Sequence, residues 1–482
     1  MLGVIHVLGL MLAAFGATYS LPVLAALISQ DGTASEFIAS ALISTGIGVA
    51  LAAATRRHAR ELKPRDGFLL VTVGWLLMSA SAAIPLLLLL PHLSFTRAFF
   101  EAMSGLTTTG STVLRGLDTL PPSINLWRAT LHWCGGLGII VLAVAVLPFL
   151  GVGGMQLYKA EAPGPVKDEK LTPRITETAK SLWFAYTAIT AVGIVALRIC
   201  GMSWFDAICH CFSAVGLGGF STHDASIAYF NSPAIELTLN ALMIVASLSF
   251  ARHFVALRRL SLKPYTRDPE AKAILLVLSV SVVGIAVLLW YRHVYPTFGT
   301  ALRHAAFNVI SIATTSGLTS QDYTQWPVFA PLWMLFLCCI VCSTGSAGGG
   351  IKMFRTLLLS QQARRELKLL VHPSAVAPVR IGGRTIPERV CNSVLAFIFL
   401  YFMTAAALTF ALLATGLDFD TSFGAVVASI NNTGPGLGSV GPGKTYQSLT
   451  VLQTWICTAA MLLGRLEIFS VLVLFTPAFW RK

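Results

Sequence analysis

Four short stretches carry residue types and spacings suited to holding a small monovalent cation. They read Thr107-Thr108-Thr109-Gly110-Ser111-Thr112, Val215-Gly216-Leu217-Gly218-Gly219-Phe220, Thr314-Thr315-Ser316-Gly317-Leu318-Thr319 and Asn431-Asn432-Thr433-Gly434-Pro435-Gly436. Glycine admits backbone angles that side chains forbid. Extended backbone at such a place points carbonyl oxygens inward, and rings of carbonyls replace a cation's hydration shell. Thr, Ser and Asn lend further oxygens. A divalent ion would want carboxylates, and none of the four stretches contains Asp or Glu. The candidate ion-binding residues are Thr108, Thr109 and Gly110; Gly216, Leu217 and Gly218; Thr315, Ser316 and Gly317; and Asn432, Thr433 and Gly434. From Gly110 through Gly218 and Gly317 to Gly434 the spacings are 108, 99 and 117 residues. The second stretch aligns only through its glycines, so Gly219 competes with Gly218; in the fourth, Gly436 is the rival of Gly434. One such stretch would be ordinary small-residue helix packing. Four at matching places in four similar units favour a shared site.

The elements that position them are membrane helices. The chain has 482 residues, 55% hydrophobic and only 11% charged, and a mean hydropathy of +0.74. Soluble domains carry about 25% charged residues. Apolar runs recur at Val4–Ile28, Gly67–Leu90, Ile124–Phe149 and Ala271–Trp290, long enough to cross a hydrocarbon core of about 30 Å. The first run lacks a basic leader and a small-residue cleavage site, so it reads as a helix rather than a signal peptide.

Charge placement orients the chain. The net charge of +13 concentrates in Arg56–Arg65, Lys159–Lys180, Arg252–Lys272, Lys352–Arg389 and the terminal Arg481-Lys482. By the positive-inside rule these segments face the cytoplasm. The excess is therefore topology rather than a nucleic-acid surface, with lipid as the partner of the apolar faces.

The expected fold is an all-α polytopic membrane protein. It has an N-terminal helical hairpin (1–65) and four helix–re-entrant loop–helix repeats around a pseudo-fourfold pore: 66–158, 159–258, 259–372 and 373–482. Outward helices are expected near 66–90, 178–200, 271–295 and 388–415. Return helices are expected near 124–150, 233–257, 328–359 and 446–477, giving ten crossings with both termini cytoplasmic. Phe95–Thr112, Ser203–Ser221, Gly299–Thr319 and Phe419–Gly436 are the re-entrant segments.

Other chemistries are excluded by pattern. The nine cysteines form no paired zinc spacing, and Cys209-His210-Cys211 and Cys338-Cys339 read as small buried hydrophobes. Gly151-Val152-Gly153-Gly154 has no preceding strand and no following P-loop lysine. There is no catalytic triad or pair of acids, so no enzyme is expected. Asp118, Asp206, Asp224 and Asp322 flank the re-entrant segments on the outer side; such residues either concentrate cations or cap helices. Arg115 and Lys444 oppose the first effect.

The run Gly345-Ser346-Ala347-Gly348-Gly349-Gly350 interrupts the third return segment, and Lys352 follows it. Interior glycine costs a helix about 1 kcal/mol relative to alanine, so this run favours an unwound, movable loop. Lys352 either puts positive charge in the inner path or snorkels to the interface. Arg465 lies deep in the last apolar helix, where a charge is expensive and marks a functional position. A bond to Glu467 is the structural alternative, although residues two apart do not share a helix face.

Several further stretches carry a family resemblance: Gly135–Val144, Leu150–Tyr158, Gly218–Asp224, Asn431–Gly438, Gly464-Arg465-Leu466-Glu467 and the closing Phe475-Thr476-Pro477. With the four loops, they make the chain resemble, over essentially its whole length, the TrkH/TrkG membrane-subunit family of bacterial Trk potassium-uptake systems, in the Trk/Ktr/HKT superfamily. The resemblance implies a potassium-selective, channel-like translocation subunit in the bacterial inner membrane, with potassium in the filter. It implies a homodimer in which each protomer has its own pore. It also implies gating by a cytosolic nucleotide-binding ring, TrkA, with no nucleotide on this chain. The glycine run would obstruct the pore beneath the filter, and Arg465 would touch it. Two departures stand out: the flexible Gly216-Leu217 pair, and the lengthened run Cys342–Lys352. The rival reading is a proton- or sodium-coupled potassium symporter, although deep carboxylates look scarce apart from Glu467.

Overall fold

The computed structural model describes residues 2–58, 63–145 and 175–481. The Gly151–Gly154 stretch, the Leu150–Tyr158 motif and most of the Lys159–Lys180 basic segment lie outside the described residues.

The N-terminal hairpin pairs Leu2–Ser29, which tightens into a 3₁₀ turn at Gly16–Tyr19, with Ala34–Thr55. The two limbs meet through glycine: a Cβ on Gly9 would lie 2.7 Å from the Gly48 carbonyl. Close backbone approach of this kind replaces the hydrophobic driving force that lipid removes. Trp127 of the first repeat docks on this hairpin. It stacks on Tyr19 at 4.4 Å between ring centroids and donates its indole N–H to Ala82 O at 3.1 Å.

Four outward helices follow, Pro64–Leu89, Ile175–Ile199, Pro269–Tyr291 and Glu388–Ala414. Proline stands in the first turn of the first and third, where its missing N–H costs nothing. Their outward faces expose large apolar side chains such as Val192, Leu276, Phe399 and Phe410, which is the surface a lipid-facing helix needs. The chain is a multi-pass membrane protein.

Each outward helix is followed by a short re-entrant one: Phe95–Leu106, Trp204–Gly216, Phe298–Ala313 and Phe419–Ile430. Side chains cap three of them. Ser203 accepts from Asp206 N, Thr297 from Thr300 N and Asp418 from Thr421 N. The helices end among wholly buried residues.

The return limbs differ from the expected continuous helices. The first, Pro122–Ala145, is unbroken as far as it is described. The second divides into Pro233–Ser247 and Phe250–Arg259, bent by 102°. The third stops at Ile340 and resumes at Met353. The fourth divides at Leu466 into Val451–Arg465 and Phe469–Phe475, bent by 107°. Six helices among the described residues are long and apolar enough to cross a membrane, or up to eight if each bent pair is one span. Tertiary hydrogen bonds hold these breaks: Ser247 O accepts from Ser343 N at 2.9 Å, and Phe250 N donates to Gly345 O at 3.1 Å. A small antiparallel hairpin, Arg380–Ile381 with Arg384–Thr385, turns on Gly382-Gly383 in the basic segment before the last repeat.

Candidate ion pathway

All four re-entrant helices end in the same backbone motif. Thr108, Leu217, Thr315 and Asn432 take left-handed φ angles of 55°, 54°, 61° and 54°. Two residues on, Gly110, Gly219, Gly317 and Gly434 take φ of 81°, 86°, 77° and 92°. The N–H groups of Thr109, Gly218, Ser316 and Thr433 reach back five residues, to the carbonyls of Ser104, Ser213, Ser311 and Ala428, at 2.8 to 2.9 Å. This is the bond of a Schellman cap, which normally places glycine at the left-handed position. Here Thr, Leu, Thr and Asn hold it, at a steric cost of about 1–2 kcal/mol for each of the first three.

The shared hydrogen bond fixes the register of the second quarter. Gly219, not Gly218, is the backbone counterpart of Gly110. Gly218 matches Thr109, and Leu217 matches Thr108. Gly216 falls outside the set: it is the last residue of its helix, and a Cβ there would meet His132 O at 2.6 Å. In the fourth quarter Gly434 carries the positive φ and Gly436 does not.

The loops close into a ring. A side chain on Gly110 would collide with Gly218 O, one on Gly219 with Ser316 O, one on Gly317 with Thr433 O, and one on Gly434 with Thr109 O. The carbonyls before the four glycines therefore meet in the cyclic order of the repeats. Gly110, Gly219, Gly317 and Gly434 all border one open cavity of about 470 Å³. The C-terminal ends of the four re-entrant helices point at this ring, each carrying roughly half a negative charge from its aligned dipoles. The side-chain oxygens Thr108 Oγ1, Ser316 Oγ and Asn432 Oδ1 are buried without a hydrogen-bond partner. The ring thus offers neutral oxygens in a negative field, a setting for a monovalent cation.

The second quarter lacks a hydroxyl because His132 fills its place. A Cβ on Gly218 would run into the His132 ring. That ring stacks on Phe220 at 4.2 Å and its Nδ1 is 3.3 Å from Ser213 Oγ.

Beneath the ring lies the glycine run. Gly349 N donates to Thr315 Oγ1 at 3.1 Å, and a side chain on Gly349 would strike Asn431 O. A Cβ on Gly348 would lie 3.0 Å from Thr315 Oγ1. The loop from Val341 to Lys352 thus passes directly under two of the left-handed residues. Its base is held by Glu270, which accepts from Ser343 Oγ at 3.0 Å and Thr344 N at 2.9 Å.

A family model described as "TrkH: Cation transport protein" matches residues 34–482. The chain belongs to the TrkH family of cation transport proteins. It is 46% identical to the Trk system potassium uptake protein TrkH of Salmonella typhimurium, over 99% of each chain. It is 47% identical to the protein of the same name from Halomonas elongata, again over 99% of each. Its fold matches the crystal structure of the potassium transporter TrkH from Vibrio parahaemolyticus with a TM-score of 0.92 at 41% identity, covering 100% of this chain and 99% of that one.

In this TrkH-family chain Arg465 is 2% exposed. Its Nη1 donates to Ala347 O and its Nη2 to Gly135 O, both at 2.8 Å. Its polar partners are carbonyls, and its Nε has none. Glu467 bonds instead to Arg355 at 2.8 Å. Lys352 is half-buried at the junction with the helix Met353–Val371, with φ 77°.

Buried carboxylates are more numerous than the sequence suggested, and they are engaged. Glu101 pairs with Arg128 at 2.9 Å, Glu236 with Arg303 at 2.7 Å and Asp268 with Arg252 at 2.7 Å. None of these pairs joins sequence neighbours, so no local pattern exposes them. The four aspartates flanking the re-entrant segments serve loops: Asp118 meets His223 at 2.5 Å, Asp224 accepts from Gly116 N and Leu117 N, Asp206 holds Thr222, and Asp322 caps a 3₁₀ turn. The hydrogen bond from His223 holds the Asp118 carboxyl below the usual range, against a smaller opposing effect of burial. Arg115, Arg128 and Lys444 share the cavity lining with Asp224, so the side chains there carry no net negative charge.

Proposed function

We propose that the chain is the potassium-translocating subunit of an uptake system, passing the ion down its electrochemical gradient through a channel-like filter. The observation that carries this reading is the ring of four capped loops whose preceding carbonyls meet around one cavity. The names of the relatives, potassium uptake proteins of Trk systems, support potassium as the cargo. The filter is formed by Thr108, Thr109 and Gly110; Leu217, Gly218 and Gly219; Thr315, Ser316 and Gly317; and Asn432, Thr433 and Gly434. Carbonyl rings replace the hydration shell, and multiple weak sites let the ion leave again.

The loop Gly345–Gly350 is the gate. It lies under the ring, and Arg465 tethers it to the first repeat through Ala347 and Gly135. Control comes from a cytosolic TrkA-type nucleotide-binding ring, with two copies of this chain in the assembly. The protein sits in the bacterial inner membrane with both termini and the basic segments cytoplasmic. A coupled symporter would need free ionisable groups along the path; Glu101, Glu236 and Asp268 are instead paired with arginine, and Glu270 is engaged by Ser343 and Thr344.

The test is potassium against sodium flux in proteoliposomes, comparing wild type with Gly110→Ser and Gly317→Ser. Wild type passes potassium preferentially and both variants lose that preference. Undiminished selectivity in both folded variants rejects the filter.

A further inference from the structure

We propose that Glu101 and Arg128 form a buried clasp that sets the separation of the first two filter quarters and so tunes cation discrimination. The inference rests on the filter reading above and adds two positioning residues to it.

Glu101 stands eight residues before Thr109. The same place before Gly218, Ser316 and Thr433 holds His210, Asn308 and Ala425. In three quarters this residue ties the re-entrant helix to the chain just beyond the filter. Glu101 accepts from Thr112 Oγ1 at 2.8 Å and from Val113 N at 2.9 Å. His210 Nε2 meets Ser221 Oγ at 2.9 Å. Asn308 donates to Ser320 Oγ at 3.1 Å and accepts from Ser320 N at 3.2 Å. Ala425 has no such group, and in its quarter the Tyr446 hydroxyl holds Gly434 O at 2.9 Å. The position is thus a recurrent tether, chemically different in each quarter.

Only the first tether is ionic, and it reaches across to the second quarter. Arg128 donates from Nε to Glu101 Oε1 at 2.9 Å. From Nη1 it reaches Ser221 O of the second quarter at 3.1 Å, and Asn125 Oδ1 at 3.3 Å. From Nη2 it reaches Thr112 Oγ1 at 3.3 Å. Its guanidinium lies 4.1 Å from the Phe220 ring centroid. Both charged side chains are 1% exposed. One planar fork therefore grips residues just beyond Gly110 and just beyond Gly219. Lysine, a point charge on a flexible stem, cannot reproduce that grip. Glu101 neutralises Arg128 at the cavity wall, so the arginine steadies the carbonyls with less repulsion of the arriving cation.

The test measures potassium and sodium flux for Glu101→Gln and Arg128→Lys beside Gly110→Ser, with thermal melting of each purified protein. Losing one charged hydrogen bond between the quarters lowers the potassium-to-sodium ratio about tenfold. That loss should occur in both clasp variants, each of which also melts below wild type. A folded Arg128→Lys protein with the wild-type ratio overturns the clasp, and so does a lower melting temperature with an unchanged ratio. If Glu101→Gln does not fold, Arg128→Lys decides alone. Gly110→Ser separates the two readings: if it loses selectivity while Arg128→Lys keeps it, only the clasp fails. If Gly110→Ser keeps selectivity, the filter itself fails.

Discussion

The Ala347 carbonyl accepts a hydrogen bond from Arg465 Nη1 at 2.8 Å, joining the loop beneath the ring to a buried cation in the last repeat. A hydrogen bond to a charged group contributes about 1.5–3 kcal/mol. Removing it releases the loop. Arg465→Ala should raise potassium flux through the isolated subunit by about tenfold or more and, if the proposed TrkA-type ring acts on this loop, weaken the response to it. Equal flux with and without that ring in wild type and variant alike would remove Arg465 from the gate.

Glu270 holds the other end of the same loop through Ser343 and Thr344. Glu270→Ala leaves the half-buried Thr344 N–H without its acceptor, a cost of about 1 kcal/mol. Ser343→Ala removes only a hydroxyl and should cost about 1 kcal/mol. Because the two groups share one bond, the double variant should melt above the sum of the single losses. Strict additivity in a thermal-melt cycle counts against the latch.

Gly218 and His132 compete for one volume. Gly218→Ser should destabilise the protein by about 1–3 kcal/mol through overpacking. Adding His132→Ala should recover most of that loss and give the second quarter a hydroxyl like the other three. Melting curves of the single and double variants test this. A double variant no better than Gly218→Ser rejects the steric explanation.

Beside the cavity, His223 holds the Asp118 carboxyl below its ordinary pKa. A carboxyl depressed in the folded state adds stability above its unfolded pKa, about 3.9, and loses it as pH falls through the folded value. Asp118 is 43% exposed, so solvent screening limits the contribution to roughly 0.5 kcal/mol. Wild type should melt slightly above Asp118→Asn at neutral pH, with the gap closing below about pH 4. A gap that persists into stronger acid contradicts this linkage.

What could be read in the residues depended on how local each cause was. The outward helices were legible because an apolar run lies within each segment, joined by a first-turn proline in two of them, as at Pro269–Tyr291. Thr109-Gly110, Ser316-Gly317 and Thr433-Gly434 were legible because hydroxyl-plus-glycine is itself the local pattern. Leu217 was not: leucine at φ 54° is a conformation that propensity does not suggest. The reason for Gly218 sits on another helix, at His132. The bends after Ser247 and Arg465 carry no proline, and long-range bonds at Ser247 O and Phe250 N create the first of them. Arg128 and Glu101 lie 27 positions apart and became partners only in three dimensions.

The four quarters of the ring are unlike one another at the same positions: Thr, Leu, Thr and Asn, or Glu, His, Asn and Ala. A pore assembled from four identical subunits receives every mutation fourfold and must survive all four changes at once. Here a single codon alters one quarter while three stand unchanged. Such a chain can explore its pore in small steps, and one quarter can acquire a loop or an ion pair that a symmetric assembly would have to accommodate four times around its axis.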